Sequence, residues 1–511
     1  MNSASVKPSD TNDSIREEEI SSQNTSQNAN AAANVDANDD DDEYEKIKRP
    51  MSFHIRRIFG FINYCILYAL VFFQRTCPSI VSADMAADYK VAIKDLGVFS
   101  SIYFYPYAIV QPFAGLLADV VDPALVIGIC QLVAGLGAII CGFSKSLSVG
   151  CVGRFLVGLG CGPTYVPLIR TIANWFPLRL YAQMCGLALA IGGVGGIIAQ
   201  GPLSSFAQAV GWRWSFYGIG ALGIFFSLLQ LIFVRGDPTT HGYEPVNKDL
   251  KKKAEDVDSS LKDKFKQLWS HFKQVVSYPW IWIVVVYSVF CSGPFFDISG
   301  MWAGPFLTDC YGYSKTKVGN TLIALSVGLI VGSLGVPPLS SLFKTRKWVL
   351  CATAGIATVA IVIFAVLGSK VKYVGVIILF LLIGMFTNAQ TSVCYPLIRE
   401  YFHPSMAGTA VGCANIFTFL SSAVFQNISG EVMAKFPFPD GVTPPSDSAN
   451  SEKGYQIGLW TICAVAMGIS TISIAFAKES PLMIQQRRDK RKAKDEKEEE
   501  NEDVGEDLGE L

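Results

Sequence analysis

The sequence predicts an all-α polytopic membrane protein built from two pseudo-symmetric halves of about six spanning helices each. Three observations carry this. Half of the 511 residues are hydrophobic. The apolar residues come in about twelve blocks, each long enough to cross a hydrocarbon core of roughly 30 Å. Backbone polar groups in lipid must be satisfied within their own segment, so such blocks are helices. The third observation is a repeat: Pro167-Leu-Ile-Arg170 recurs as Pro396-Leu-Ile-Arg399. Each copy follows an apolar, glycine-bearing run and precedes a phenylalanine (Phe176, Phe402) and a glycine (Gly186, Gly412) in the same order. Two halves of one topology explain that order.

Composition narrows the function classes. The net charge is −1, acidic and basic runs cancelling between tails and loops, so it says little about partners. The four histidines, His54, His241, His271 and His403, lack metal-ligand spacing, and no cofactor or metal is expected. No phosphate loop is present, which argues against an ATP-driven pump. No nucleophile-base-orienter constellation appears, so the chain does not read as an enzyme. Most of the thirteen cysteines sit inside spanning blocks as small apolar residues. Cys77 and Cys310, near the outer ends of the first and seventh helices, are left open as a pair or as two free thiols.

In chain order, residues 1–55 form a polar, disordered tail with an acidic run from Asp39 to Glu45. Lys46, Lys48, Arg49, Arg56 and Arg57 then place that end in the cytoplasm by the positive-inside rule. The N-terminal half spans 56–234, a cytoplasmic linker 235–278, the C-terminal half 279–477 and a second disordered cytoplasmic tail 478–511. The first helix, Phe59 to Val81, carries one full charge, Arg75. An arginine within a spanning helix costs about 2.5–3.5 kcal/mol on insertion scales and usually faces a bundle interior or watery cavity. Snorkelling back to the surface is the alternative. In the second helix, about Leu96 to Val120, Tyr103, Tyr107 and Gln111 share one face. The fourth helix is bracketed by Arg154 and Arg170, and the fifth contains Gly192-Gly-Val-Gly-Gly196. Glycines at such density permit close packing and bending.

The linker carries Lys251-Lys-Lys253 and an amphipathic stretch near Leu261 to Val275 that would lie on the membrane surface. The seventh helix, Trp280 to Phe306, carries Gly293-Pro294, Asp297, Gly300, Trp302 and Gly304-Pro305. Breaks of this kind in a spanning helix point to a binding site. Counted from the start of its helix, Asp297 lies at nearly the depth of Arg75, so the two are expected to face a common site between the halves. Asn427-Ile-Ser429 matches a glycosylation sequon near the membrane edge.

These residues resemble the major facilitator superfamily over nearly everything from Arg56 to Lys478. The resemblance rests on the two halves, the Arg154/Gly158/Gly160 run, the Gly115 to Asp119 end of the second helix and the Gly211-Trp-Arg-Trp-Ser-Phe216 opening of the sixth. The family's loop after the second helix normally continues with basic residues; here Val-Val-Asp122-Pro follows Asp119. Lys344 stands where the second half of the family tends to have an acid, so Asp119 and Lys344, with Arg154, Arg170 and Arg399, are expected in an altered conformational gate. Gln74-Arg75-Thr-Cys-Pro78-Ser79 is similar to the first helix of organic-anion and sugar-phosphate carriers, and of amino-acid and lysosomal dipeptide carriers. In such relatives an arginine here contacts an anionic group of the substrate.

The resemblance and the residues together imply a secondary transporter working by alternating access, as uniporter or symporter. Arg75, Asp297, Tyr103, Tyr107, Gln111 and Trp302 are the candidate substrate-binding residues. Opposite charges suit a zwitterion, so an amino acid or dipeptide is the first expectation. An organic anion or sugar phosphate follows if Arg75 and Asp297 merely pair, and a nutrient receptor that binds without transport is the rival class. The expected partners are a small-molecule substrate, the lipid bilayer and, left open, protons; nucleic acid is not expected. A monomer in the plasma or endolysosomal membrane completes the expectation.

Overall fold

The computed structural model describes residues 49–246, 261–387, 390–402, 404–436, 438 and 449–488. Residues 1–48 and 489–511 of the two expected tails, Lys251–Lys253 and most of the loop before the last span lie outside those residues, whereas 51–55 belong to the first helix and 481–488 are helical. Eleven helices or helix pairs among the described residues are long and apolar enough to cross a membrane. The second expected span is not among them: it is interrupted into Asp95–Ser101 (α3) and Phe104–Val120 (α4), of 7 and 17 residues. Pro106 supplies the physical reason: it has no N–H for the carbonyl of Ile102, where the helix is interrupted.

The first span is Met51–Thr76 (α1), continued past Cys77 by Pro78–Tyr89 (α2). The N-terminal half is completed by Pro123–Phe143 (α5), Leu147–Cys161 (α6) with Tyr165–Trp175 (α7), Leu178–Ile198 (α8) with Gly201–Val210 (α9), and Trp212–Phe233 (α10). The predicted linker helix is present as Leu261–Ser277 (α11), with Phe265 and Trp269 exposed on it. The seventh span is Pro279–Asp297 (α12), a π-helical turn Ile298–Trp302, and Ala303–Tyr311 (α13). The disruption predicted from its glycines and prolines is therefore a π-turn immediately after Asp297. Then come Lys315–Leu342 (α14), Lys347–Leu367 (α15), Tyr373–Thr387 (α16) with Gln390–Glu400 (α17), Pro404–Met433 (α18) and Ile462–Phe476 (α19).

Within the halves, α5 packs against α6 and α10, and α14 against α16. Between the halves, α4 and α3 meet α18, α8 and α9 meet α14, and α2 meets α13. The face where α1 begins is here the terminal face; the opposite one is the far face. At the far face Asp84 pairs with Lys315, and Lys94 lies 3.6 Å from Glu431, each pair joining the two halves. Gly304 of α13 sits so close to α2 that an added Cβ would lie 1.7 Å from the Ser79 carbonyl oxygen. The halves are thus in direct backbone contact at the far face.

All thirteen cysteines are free, which settles the open alternative for Cys77 and Cys310 as two thiols. The sequon asparagine is half-buried. Asn427 lies within α18, where its amide donates to Ser101 Oγ of the other half at 2.8 Å.

Candidate functional site: a caged arginine between the halves

Arg75 occupies the last turn of α1 and is 5% exposed. Its guanidinium carbon lies 5.2 Å from the ring centre of Phe72, 5.2 Å from Tyr107, 5.0 Å from Phe296 and 5.3 Å from Phe419. These rings come from α1, α4, α12 and α18, so both halves close on one cation. Tyr107 and Phe419 touch across the interface with centroids 4.4 Å apart. Cation–π contacts are worth about 0.5–2 kcal/mol each, more when desolvated. They cover the faces of the guanidinium and leave its N–H edge for hydrogen bonding. The Arg75 Nε is buried with no partner, and among the described residues no ion pair includes Arg75.

A second guanidinium lies one layer deeper in the N-terminal half. Arg154 is fully buried, its Nη1 donating to the Gln74 carbonyl at 2.7 Å while Nε and Nη2 have no partner. Its charge lies over Tyr103 at 5.0 Å and Phe99 at 5.4 Å. Tyr103 and Tyr107 are neighbours at 5.6 Å, so each of the two rings carries one arginine. Gly158 makes this possible: its Cβ position is 2.0 Å from the Tyr103 carbonyl oxygen, so only a glycine lets α6 approach that closely. Arg154 was expected at a gate; the structure places it beside the central tyrosines.

Asp297 is fully buried but engaged inside its own half. Its Oδ2 accepts from Ser429 Oγ at 2.6 Å and from the Cys463 thiol at 3.5 Å, and its Oδ1 has no partner. Among the described residues no ion pair joins it to Arg75, so the direct pairing that was one of the two expected alternatives is absent. Depth along a helix says nothing about azimuth, and the π-turn after Asp297 resets the facing of the residues beyond it. Trp302 is likewise fully buried and donates to the Gln426 carbonyl at 3.0 Å, bracing α18 rather than lining an open space. Gln111 donates to the Gly162 carbonyl at 3.2 Å and accepts from Asn415 of the opposite half at 3.4 Å.

The other gate candidates lie at the terminal face. Lys344 Nζ donates to the Gln486 carbonyl at 3.0 Å, engaging the C-terminal segment of its own half. Arg170 is half-buried on α7 and Arg399 exposed on α17, at corresponding places of the two halves. Asp119 falls in the last turn of α4, and its side chain lies outside the described residues.

Phe72, Phe296, Phe419, Asn415, Gln426, Ser429 and Cys463 escaped the sequence reading. A signal existed for α18: Asn415, Phe419, Ser422, Gln426 and Ser429 recur at three- and four-residue spacing along one helical face. Phe72 and Phe296 carry no such mark, since aromatic residues in spanning helices are ordinary.

A two-halved helical bundle that encloses a caged cation at its inter-half seam defines a polytopic membrane carrier. Residues 64–426 match the family model of the Major Facilitator Superfamily, and the chain belongs to that family. It is a membrane transporter and not an enzyme. Among its relatives is a probable sulfoacetate transporter of Cupriavidus necator, 24% identical over 358 residues, covering 69% of this chain and 81% of the relative. A probable hexose phosphate transport protein of Chlamydia pneumoniae is 22% identical over 399 residues, covering 75% and 86%. Among solved structures, a bacterial homologue of the human lysosomal transporter Spinster, inward-facing and unoccupied, superposes with a TM-score of 0.64 at 18% identity. That match covers 83% of this chain and 96% of the other.

Proposed function

We propose that the chain carries a small organic anion by alternating access, with Arg75 as the anchor for the anionic group. One observation carries the reading: a buried guanidinium ringed by aromatic residues of both halves, its Nε unpartnered and no carboxylate paired to it. An uncompensated buried charge costs several kcal/mol, which rings offset only in part. An anion arriving at the guanidinium edge supplies the missing compensation through charge-assisted hydrogen bonds. Arg154, equally without an acidic partner, adds positive potential one layer below. The names of the relatives, sulfoacetate and hexose phosphate carriers, belong to the same chemical class.

The amino-acid or dipeptide reading keeps the carboxylate anchor but needs an acid for the ammonium. The free Oδ1 of Asp297 is the group that favours it, while the bonds from Ser429 and Cys463 hold that carboxylate within the C-terminal half. The anion reading is therefore placed first. The density of basic residues at the terminal face, including Arg49, Arg56, Arg57, Arg346 and Lys347, supports its being the cytoplasmic one.

The test is uptake by proteoliposomes containing the purified chain, with a short sulfonated carboxylate, a hexose phosphate, a uronate, neutral hexoses, amino acids and dipeptides as substrates or competitors. Uptake of one or more of the anions without competition from neutral hexoses is expected. Uptake confined to zwitterions would reverse the ranking, and binding without flux would support a receptor.

A further inference from the structure

Apart from the central seam, the terminal face of the N-terminal half holds a small open cleft between the start of α1 and the ends of α7 and α10. Arg56, Arg57, Arg235 and His241 line it, with Tyr64 and Thr171 at its base, and no acidic residue contributes to the lining. The nearby Asp122 lies outside the lining but within electrostatic reach of His241, and its Oδ1 accepts from the backbone N–H of Ala124 at 2.7 Å and of Gly236 at 2.8 Å. Arg56 Nη1 donates to His241 Nε2 at 3.2 Å, Arg235 Nη1 donates to the Leu231 and Val234 carbonyls at 3.0 and 2.9 Å, and Arg57 Nε is buried without a partner. Burial, then Arg56 and Arg235, lower the His241 imidazole from its ordinary value against the opposing pull of Asp122.

The surroundings say where the missing anion comes from. Immediately towards the membrane from Arg56 and Arg235, Phe59 is 41% and Phe233 54% exposed, and the two rings meet edge to face at 6.4 Å. Ile62 and Ile232 continue the same outward apolar surface. A basic pocket at the membrane boundary with an apolar track leading from its mouth matches a phosphate carrying acyl chains better than a soluble phosphate. We propose that this cleft binds the headgroup phosphate of an anionic phospholipid of the terminal-face leaflet, Arg56 and Arg235 gripping the phosphate while the chains lie along Phe59 and Phe233. The site is independent of the central cage.

The experiment is native mass spectrometry of the full chain released from mixed micelles containing a phosphatidylinositol phosphate, phosphatidylglycerol or phosphatidylcholine, with inorganic phosphate as the soluble arm. Wild type is compared with Arg56→Gln, with Arg56→Gln/Arg235→Gln and with Lys145→Gln, an exposed basic residue at the far face. The expected result is retention of the anionic lipids by wild type and Lys145→Gln, at least about threefold less in the single variant and tenfold less in the double. Because Arg56 is exposed, the single variant keeps the test alive if the double one fails to fold. Equal retention by wild type and Arg56→Gln, equal retention of phosphatidylcholine, or inorganic phosphate displacing the lipid at micromolar concentration would each overturn the proposal.

Discussion

Gly304→Ala tests whether the far-face contact is one of two alternating states. The added Cβ would lie 1.7 Å from the Ser79 carbonyl oxygen, where ordinary contact begins at 3.4 Å. The obstacle is backbone on a packed helix, so no side chain can rotate aside, and α13 must withdraw from α2. Overpacking of this kind costs about 1–3 kcal/mol, which disfavours the far-face-closed state roughly five- to 150-fold. A glycine-to-alanine change also raises helix propensity, by up to about 1 kcal/mol. Gly218→Ala, with nothing within 4 Å of its Cβ, controls for that gain. Hydrogen exchange in lipid nanodiscs is the assay: in Gly304→Ala, amides of residues 79–89 and 303–311 should exchange faster, and proteoliposome uptake should fall. If Gly304→Ala exchanges and transports like Gly218→Ala, the contact does not belong to the transport cycle.

Three further outcomes follow from the same geometry. The Asp84–Lys315 pair is partly solvated, with side chains 32% and 24% exposed, so a double-mutant cycle with Asp84→Asn and Lys315→Gln should give a coupling of about 0–1 kcal/mol. Asp297→Asn keeps an acceptor for Ser429 and Cys463 while removing a buried charge. Its melting temperature should hold or rise and anion uptake should survive, and loss of uptake with intact folding would return the weight to a zwitterion. Arg154→Gln retains a donor for the Gln74 carbonyl but not the charge over Tyr103. Anion affinity measured by competition should weaken about tenfold, the scale of one modest electrostatic contribution.

Much of the architecture was legible because spanning segments obey a strict rule: backbone groups in lipid are satisfied within the segment, so apolar length alone marks a helix. The Pro-Leu-Ile-Arg repeat exposed the two halves, and lone-charge logic singled out Arg75, which is indeed buried at the seam. The break after Asp297 was visible in Gly300 and Gly304, and it became a π-turn. Rotation about the helix axis was not visible. Asp297 had the right height but bonds to Ser429 and Cys463, residues more than a hundred positions away that no local spacing connects to it. The aromatic cage failed for the same reason, since Phe72, Tyr107, Phe296 and Phe419 meet only through tertiary packing. Arg154 was expected at a gate because nothing in the sequence block shows that Gly158, one turn on, brings α6 against the Tyr103 backbone and so places Arg154 beside the tyrosines.

The most direct test of the central claim is ligand-induced thermal stabilisation of the purified chain compared between wild type, Arg75→Ala and Arg75→Lys. A ligand at about 100 times its Kd stabilises the native state by about 2.7 kcal/mol. Losing one partner of a buried charged pair costs about 2–5 kcal/mol, enough to cut that shift to about 0.9 kcal/mol or less at the same concentration. The account predicts stabilisation of wild type by organic anions, at most about a third of it in Arg75→Ala, and a reduced response in Arg75→Lys, which keeps the charge but not the planar fork. Undiminished anion stabilisation of Arg75→Ala, in protein that folds and melts like wild type without ligand, would contradict it.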